Sequence, residues 1–293
     1  MPDHPAGEAL GYELVASFFT LTGSGFGQEP RHPFPERCRA AAAAGFTGIG
    51  LHVDDLPRTI GSGIDIGQMR DILTETGLRV VEIEFLGGWA LDDTRPAELE
   101  TTMRRIEAVA DAFGGRHVSA GEFRGPGRVD PVRAAERLDT LARRLAARGL
   151  TVAVEAFPWS ALAGPDTVPD IIGRCQAPNV GQLVDVWHFY NNGGDPATLT
   201  GPISAVQLND GPRVHDDFLT HARTSRHLPG EGDLGVVELI GAVLRTGYAG
   251  PWCVEVNTPE FRDLPIGQAA TRAARAAEAA LDAAGAPRTV TTR

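Results

Sequence analysis

Short runs in which apolar and polar positions alternate recur along the chain, and between them apolar positions return at helical spacing. In TVAVEAF, Val152 and Val154 share one parity while Ala153 and Glu155 share the other. In LVDVWH, Val184 and Val186 oppose Leu183 and Asp185. In SAVQLND, Val206 and Leu208 oppose Ala205, Gln207 and Asn209; in PWCVEVN, Val254 and Val256 oppose Cys253, Glu255 and Asn257. Each run thus offers an oxygen-bearing side chain on the face opposite its valines.

The remaining elements follow from the same periods and from glycines that stop helices. Strands are expected over 13–19, 46–52, 78–86, 117–123, 150–157, 180–188, 203–210 and 251–257. Helices are expected over 35–44, 65–76, 96–113, 131–148, 168–175, 236–246 and 266–284, with Gly45, Gly77, Gly114, Gly149 and Gly285 as stops. In the third strand Glu82 and Glu84 oppose Val81, Ile83 and Phe85; in the fourth, small residues on both parities leave the direction of Glu122 open. Strand and helix in alternation predict a parallel sheet with crossover helices, and eight such units predict an α/β fold, a single (β/α)8 barrel. An open doubly wound sheet is the alternative, but no GxGxxG follows an early strand. The barrel is expected to occupy residues 11–285, with a flexible tail at 1–10 and a second tail at 286–293.

Composition narrows the function. A chain of 293 residues suits one barrel, and 42% hydrophobic with 22% charged residues is ordinary for a globular protein. No apolar run reaches membrane-span length, and the polar, Pro/Gly-rich opening MPDHPAGEALG is unlike a signal segment, so a cytoplasmic protein is expected. Cys38, Cys175 and Cys253 lack CxxC spacing and read as reduced thiols that pack. A net charge of −11 without a basic block speaks against nucleic acid as a partner.

In a (β/α)8 barrel the inward residues at the carboxyl ends of the strands form the active site. Glu155, Asp185, Gln207 and Glu255 meet both conditions. Three carboxylates in one mouth repel unless a cation neutralises them, and three anionic oxygens with an amide oxygen form a hard donor set. A divalent metal is expected, Mn2+ first, with Mg2+, Co2+ or Zn2+ as alternatives. Glu84 and His52, at the ends of the third and second strands, are further pocket candidates, and Phe157, Trp187 and Trp89 are candidate apolar walls. Arg226 lies in the long segment between Asn209 and Val236; its fork of donors suits a carboxylate, a phosphate or vicinal hydroxyls, or it pairs with Glu231 or Asp233. For Asp185 the plainer role is to cap the helix that follows its strand.

At VEAF (Glu155), DVWH (Asp185, His188), VQLNDGP (Gln207), RHLPGEGDL (Arg226) and WCVEVN (Glu255) the sequence resembles the sugar phosphate isomerase/epimerase superfamily, the xylose isomerase-like TIM barrels. These barrels include ketose 3-epimerases, inosose and dehydroshikimate dehydratases and apurinic endonucleases. The resemblance implies a metal held by Glu155, Asp185, Gln207 and Glu255, with His188 and Arg226 on substrate hydroxyls. It implies Glu155 and Glu255 as the acid/base pair on opposite sides of a sugar or polyol ketone, with isomerisation or epimerisation through a metal-stabilised enediolate. The epimerases usually carry His as the third ligand; Gln207 looks like what some dehydroshikimate-type dehydratases carry. A dehydratase acting on an inosose- or 3-dehydroshikimate-like substrate is therefore the alternative. The apurinic endonucleases need a histidine-rich mouth and a basic face, which eight histidines and the acidic balance do not provide. The family resemblance also implies self-association as a dimer or tetramer.

Overall fold

The computed structural model describes residues 9–291 except 94, 126 and 128. Its centre is a closed barrel of eight parallel strands in sequence order: β2 (Leu14–Ala16), β3 (Gly48–His52), β4 (Arg79–Leu86), β5 (His117–Ala120), β6 (Thr151–Val154), β7 (Val180–Asp185), β8 (Ile203–Leu208) and β9 (Trp252–Val254). Closure comes from pairing β2 with both β3 and β9. A separate ladder joins β1 (Ala9–Gly11) to β10 (Thr289–Thr291) in antiparallel register, so parts of the segments expected as tails meet each other.

The crossover helices are α1 (Phe34–Ala44), α2 (Asp55–Gly61), α3 (Ile66–Thr76), α4 (Pro96–Phe113), α5 (Pro131–Ala146), α6 (Thr167–Arg174), α7 (Val186–Asn191), α8 (Phe218–Thr224), α9 (Val236–Arg245), α10 (Pro259–Arg262) and α11 (Ile266–Ala283). Local chemistry sets their ends. Asp65 and Gln68 form a reciprocal capping box at the start of α3, and Gly45 and Gly77 take left-handed conformations that close α1 and α3. Three short helices, α2, α8 and α10, fall where the sequence pattern suggests loops. The first is held by a buried ion pair from Arg37 to Asp55 at 2.6 Å.

The main core lies between the barrel and its helices, filled by the outward parity: Val152, Val154, Val184, Val206, Leu208 and Val254 are all buried there. Inside the barrel the opposite parity forms two small clusters, Ala153 with Leu183 and Ala205, and Val15 with Val81 and Cys253. These are the packed layers beneath the mouth, so the residue two positions further along β7 and β8, and just past the ends of β6 and β9, stands at the carboxyl end of the barrel. No helix among the described residues is long and apolar enough to cross a membrane.

Six strands end earlier than their sequence pattern suggests, β6 at Val154 and β8 at Leu208 among them. β2 stops at Ala16 because the chain turns into a 3-10 helix at Phe18–Leu21, where the Phe18 amide donates to Glu84. β5 stops at Ala120; a side chain at Gly121 would meet Phe85, Phe157 and the Glu155 carbonyl, and Glu122 is drawn off by Arg124. β9 stops at Val254, just short of Glu255. β7 stops at Asp185, whose carboxylate accepts from the His188 amide at 2.8 Å and starts α7.

Candidate active site

Strand ends and the loops beyond them deliver the predicted residues to one cavity of about 290 Å3. Glu155, His188, Gln207, Arg226, Glu255, Glu84 and His52 all line it; Asp185 adjoins it through its ion pair with Arg226. His188 arrives from the first turn of α7 rather than from a strand. Arg226 arrives from the long connection after β8, which folds back on itself: Asp210 and His227 form a bridge, and Asp210 also accepts from the amides of Gly230 and Leu234. Gly232 is required in that turn, since a Cβ there would lie 2.4 Å from an Asp210 oxygen.

The centre of the site is an arrangement of buried charge. Arg226, 2% exposed, donates through Nη1 to Glu255, lies 3.2 Å from Asp185 Oδ2 with the same nitrogen, and donates through Nη2 to His188 Nε2. His188 Nε2 is 3.5 Å from Glu155 Oε1. Glu231, the partner suggested by proximity in sequence, instead pairs with Arg272. Arg226 thus contacts the very carboxylates expected to gather at the mouth. Because Arg226 donates to His188 Nε2, the imidazole is neutral with its proton on Nδ1. Burial, reinforced by the Arg226 charge, pushes its pKa well below the ordinary histidine value.

The carboxylates are raised in the opposite sense. Burial, then the charges of Asp185 and Glu255, hold Glu155 well above the usual range. Burial pushes Glu255 to about 7 against the opposing pull of Arg226, and burial raises Asp185 against Arg226 and the helix amides. One guanidinium does not neutralise three buried acids. An oxygen of Glu155, one of Asp185 and a ring nitrogen of His188 lie within 4.8 Å of one another. Two oxygens, Glu155 Oε1 and Gln207 Oε1, are buried without a hydrogen-bond donor. Acceptors without donors beside excess negative charge fit a cation.

Other members are visible only in three dimensions. Asn209 clamps the end of β7, donating to Asp185 Oδ2 at 2.6 Å and accepting from the Trp187 amide at 2.8 Å. Ser17 donates to Glu84 at 3.0 Å and reaches Glu255 at 3.4 Å. His117, Ser119 and Gln207 surround Glu82. Their inward parity was the available signal; their pairing depends on which strands the barrel sets side by side. His52 receives the Asp54 amide and packs beside Phe18. Phe157 forms a cavity wall with Trp159, whereas Trp187 and Trp89 are fully buried.

Residues 38–283 match the xylose isomerase-like TIM barrel family. The chain belongs to that family. Within it, the chain is 29% identical over 240 residues to a 3-dehydroshikimate dehydratase of Pseudomonas aeruginosa, a match covering 79% of this chain and 37% of that protein. The chain therefore spans well under half of that relative's length. It is 26% identical over 273 residues to a candidate hydroxypyruvate isomerase of Streptomyces coelicolor, covering 82% of this chain and 93% of that one. Among solved structures, that of the IolI protein with a bound zinc atom superposes with a TM-score of 0.81 at 16% identity, covering 93% of this chain and 98% of the other. At that identity the likeness concerns the fold. Dehydratases and isomerases thus both occur among the relatives of this xylose isomerase-like barrel.

Proposed function

We propose that the protein is a divalent-metal-dependent dehydratase acting on a cyclic polyol ketone of the 3-dehydroshikimate kind. The observation that carries this reading is the shape of the cavity beside the acids. Phe123 stacks on Phe157 at 4.9 Å and 9°, and Phe157 on Trp159 at 5.0 Å and 7°, forming a stack of near-parallel rings in the cavity lining that suits a substrate ring that becomes planar. Gln207 as the third oxygen, and the dehydratase relative, favour the same choice.

Glu155, Asp185, Gln207 and Glu255 are the residues that would hold the metal. When bound, a divalent ion polarises a ketone carbonyl and so acidifies the neighbouring C–H. The protein's own part is proton transfer and placement. Of the pair Glu155 and Glu255, one carboxylate takes the proton from the carbon beside the ketone, and the other, protonated, delivers one to the departing β-hydroxyl as water. Arg226 keeps Asp185 and Glu255 from repelling each other and fixes the neutral His188 against substrate hydroxyls. Arg223, exposed at the cavity and without an ion pair among the described residues, is the donor for a ring carboxylate.

The same acids can return the proton to the opposite face, which is isomerisation or epimerisation. The match to the Streptomyces protein over nearly its whole length favours this second reading. Incubation of 3-dehydroshikimate with the Mn2+-loaded protein in deuterated buffer separates the two. Growth of a conjugated, aromatic absorbance supports dehydration. Deuterium entering a ketone without new absorbance contradicts it and supports the isomerase.

A further inference from the structure

Glu82 is a fully buried carboxylate that the proposed chemistry leaves unused. It enters the barrel through an irregularity: the register between β3 and β4 shifts after the pair Ile49 and Val80, so that Gly50 lies opposite Glu82. Val81 also faces the interior, against Val15 and Cys253. Gly50 leaves the necessary room, since a Cβ there would lie 3.0 Å from Glu82 Oε2. Glu82 Oε1 then accepts from Gln207 Nε2 at 3.0 Å and Ser119 Oγ at 3.1 Å, and lies 3.3 Å from His117 Nε2.

An amide has two unlike ends, and only its nitrogen can donate. With Nε2 committed to Glu82, the Gln207 acyl oxygen is turned to the other side, and that oxygen is buried without a donor. A flipped amide would set its oxygen against the Glu82 carboxylate and offer N–H groups, which cannot ligate a cation, to the site. We infer that Glu82 is a positioning residue that fixes the Gln207 amide with its oxygen toward the metal-binding acids. The inference rests on the proposed reading in which Gln207 Oε1 is a ligand. It accounts for glutamine here: a glutamate at 207 would face Glu82 with no proton between them.

The test is calorimetric titration of the chelator-stripped protein with Mn2+ alone, which needs no turnover. Glu82→Met, which removes the acceptor, is expected to weaken Mn2+ binding by about tenfold or more, the range for groups that orient a ligand. Gln207→Glu adds an anionic oxygen yet is expected to weaken binding about tenfold, because two carboxylates then oppose each other. The exchange Glu82→Gln with Gln207→Glu restores a donor and an acceptor in reversed order and is expected to recover most of the affinity. Should Glu82→Met not fold, the comparison of Gln207→Glu with the exchange variant decides by itself. Wild-type affinity in Glu82→Met, tighter binding in Gln207→Glu, or no recovery in the exchange overturns the positioning role while the metal reading stands. Loss in Glu82→Met of a second equivalent, with the first unchanged, also overturns it and assigns a separate site to Glu82, His117 and Cys253, whose ligand-type atoms lie within 4.8 Å. No Mn2+ binding by the wild type overturns the metal reading itself.

Discussion

Arg226 and Asp185, nearly inaccessible at 2% and 1% exposure, meet at 3.2 Å in the mouth of the barrel. A guanidinium here is the resident countercharge for acids that a divalent ion is proposed to share. Removing one partner of such a pair leaves a buried charge uncompensated, which costs about 3–5 kcal/mol. Arg226→Ala is therefore expected to lower the stability of the metal-free protein by about that amount. Added Mn2+ should raise the urea midpoint more in the variant than in the wild type. Equal metal effects on the two proteins would show that the guanidinium and the ion do not address the same acids.

Glu155→Gln and Glu255→Gln each remove a proposed anionic ligand and one member of the proposed acid/base pair. Each variant should lose at least about a thousandfold in kcat/KM, equivalent to about 4 kcal/mol of transition-state stabilisation, while retaining its circular dichroism. Full activity in either would remove that residue from the chemistry.

Arg223 is exposed at the cavity, whereas both terminal nitrogens of Arg226 are taken up by Glu255, Asp185 and His188, so among the described cavity-lining residues Arg223 is the guanidinium left for a substrate carboxylate. Arg223→Ala is expected to raise KM for a carboxylated ring about tenfold with little change in kcat, since a charge-assisted hydrogen bond made before and during reaction contributes about 1.5 kcal/mol. Steady-state kinetics at low and high salt measure it, and an unchanged KM places the carboxylate elsewhere.

Away from the site, Arg144 bridges Glu100 and Glu107 between α4 and α5 at 2.6 and 2.7 Å. Hydrogen bonds from Arg144 and Arg104 pull Glu100 down to about 2, and Arg144 lowers Glu107 as well. A depressed folded-state pKa stabilises the fold above the unfolded-state value and stops doing so as pH falls through the folded value. Arg144→Ala should thus unfold at lower urea than the wild type near about pH 7, and the gap should narrow below about pH 4. These groups face solvent, so high salt should narrow the gap too. A gap that widens on acidification contradicts the assignment.

The part of this arrangement legible in the sequence is the part that local periodicity controls. A period of two puts Glu155 with Ala153, Asp185 with Leu183, Gln207 with Ala205 and Glu255 with Cys253, and the interior clusters follow those pairs. Features set by neighbouring strands or by competing hydrogen bonds are not legible. That Val81 faces the interior as well as Glu82 depends on the register shift opposite Gly50. Asp185 caps the helix after its strand, as its type and position suggest, but that helix begins at once, so β7 ends at Asp185 and His188 is carried onto α7. Arg226 reaches the acids because Asp210 and His227 close a loop whose path no repeat pattern encodes.

Metal content tests the central claim most directly. Protein purified without chelator, compared by elemental analysis with the Glu155→Gln, Asp185→Asn variant prepared alongside, should carry about one equivalent of a divalent metal, and the variant essentially none. No metal in the wild type, even after exposure to Mn2+ or Co2+, or equal metal in both proteins, would contradict the assignment of these strand ends as a metal centre.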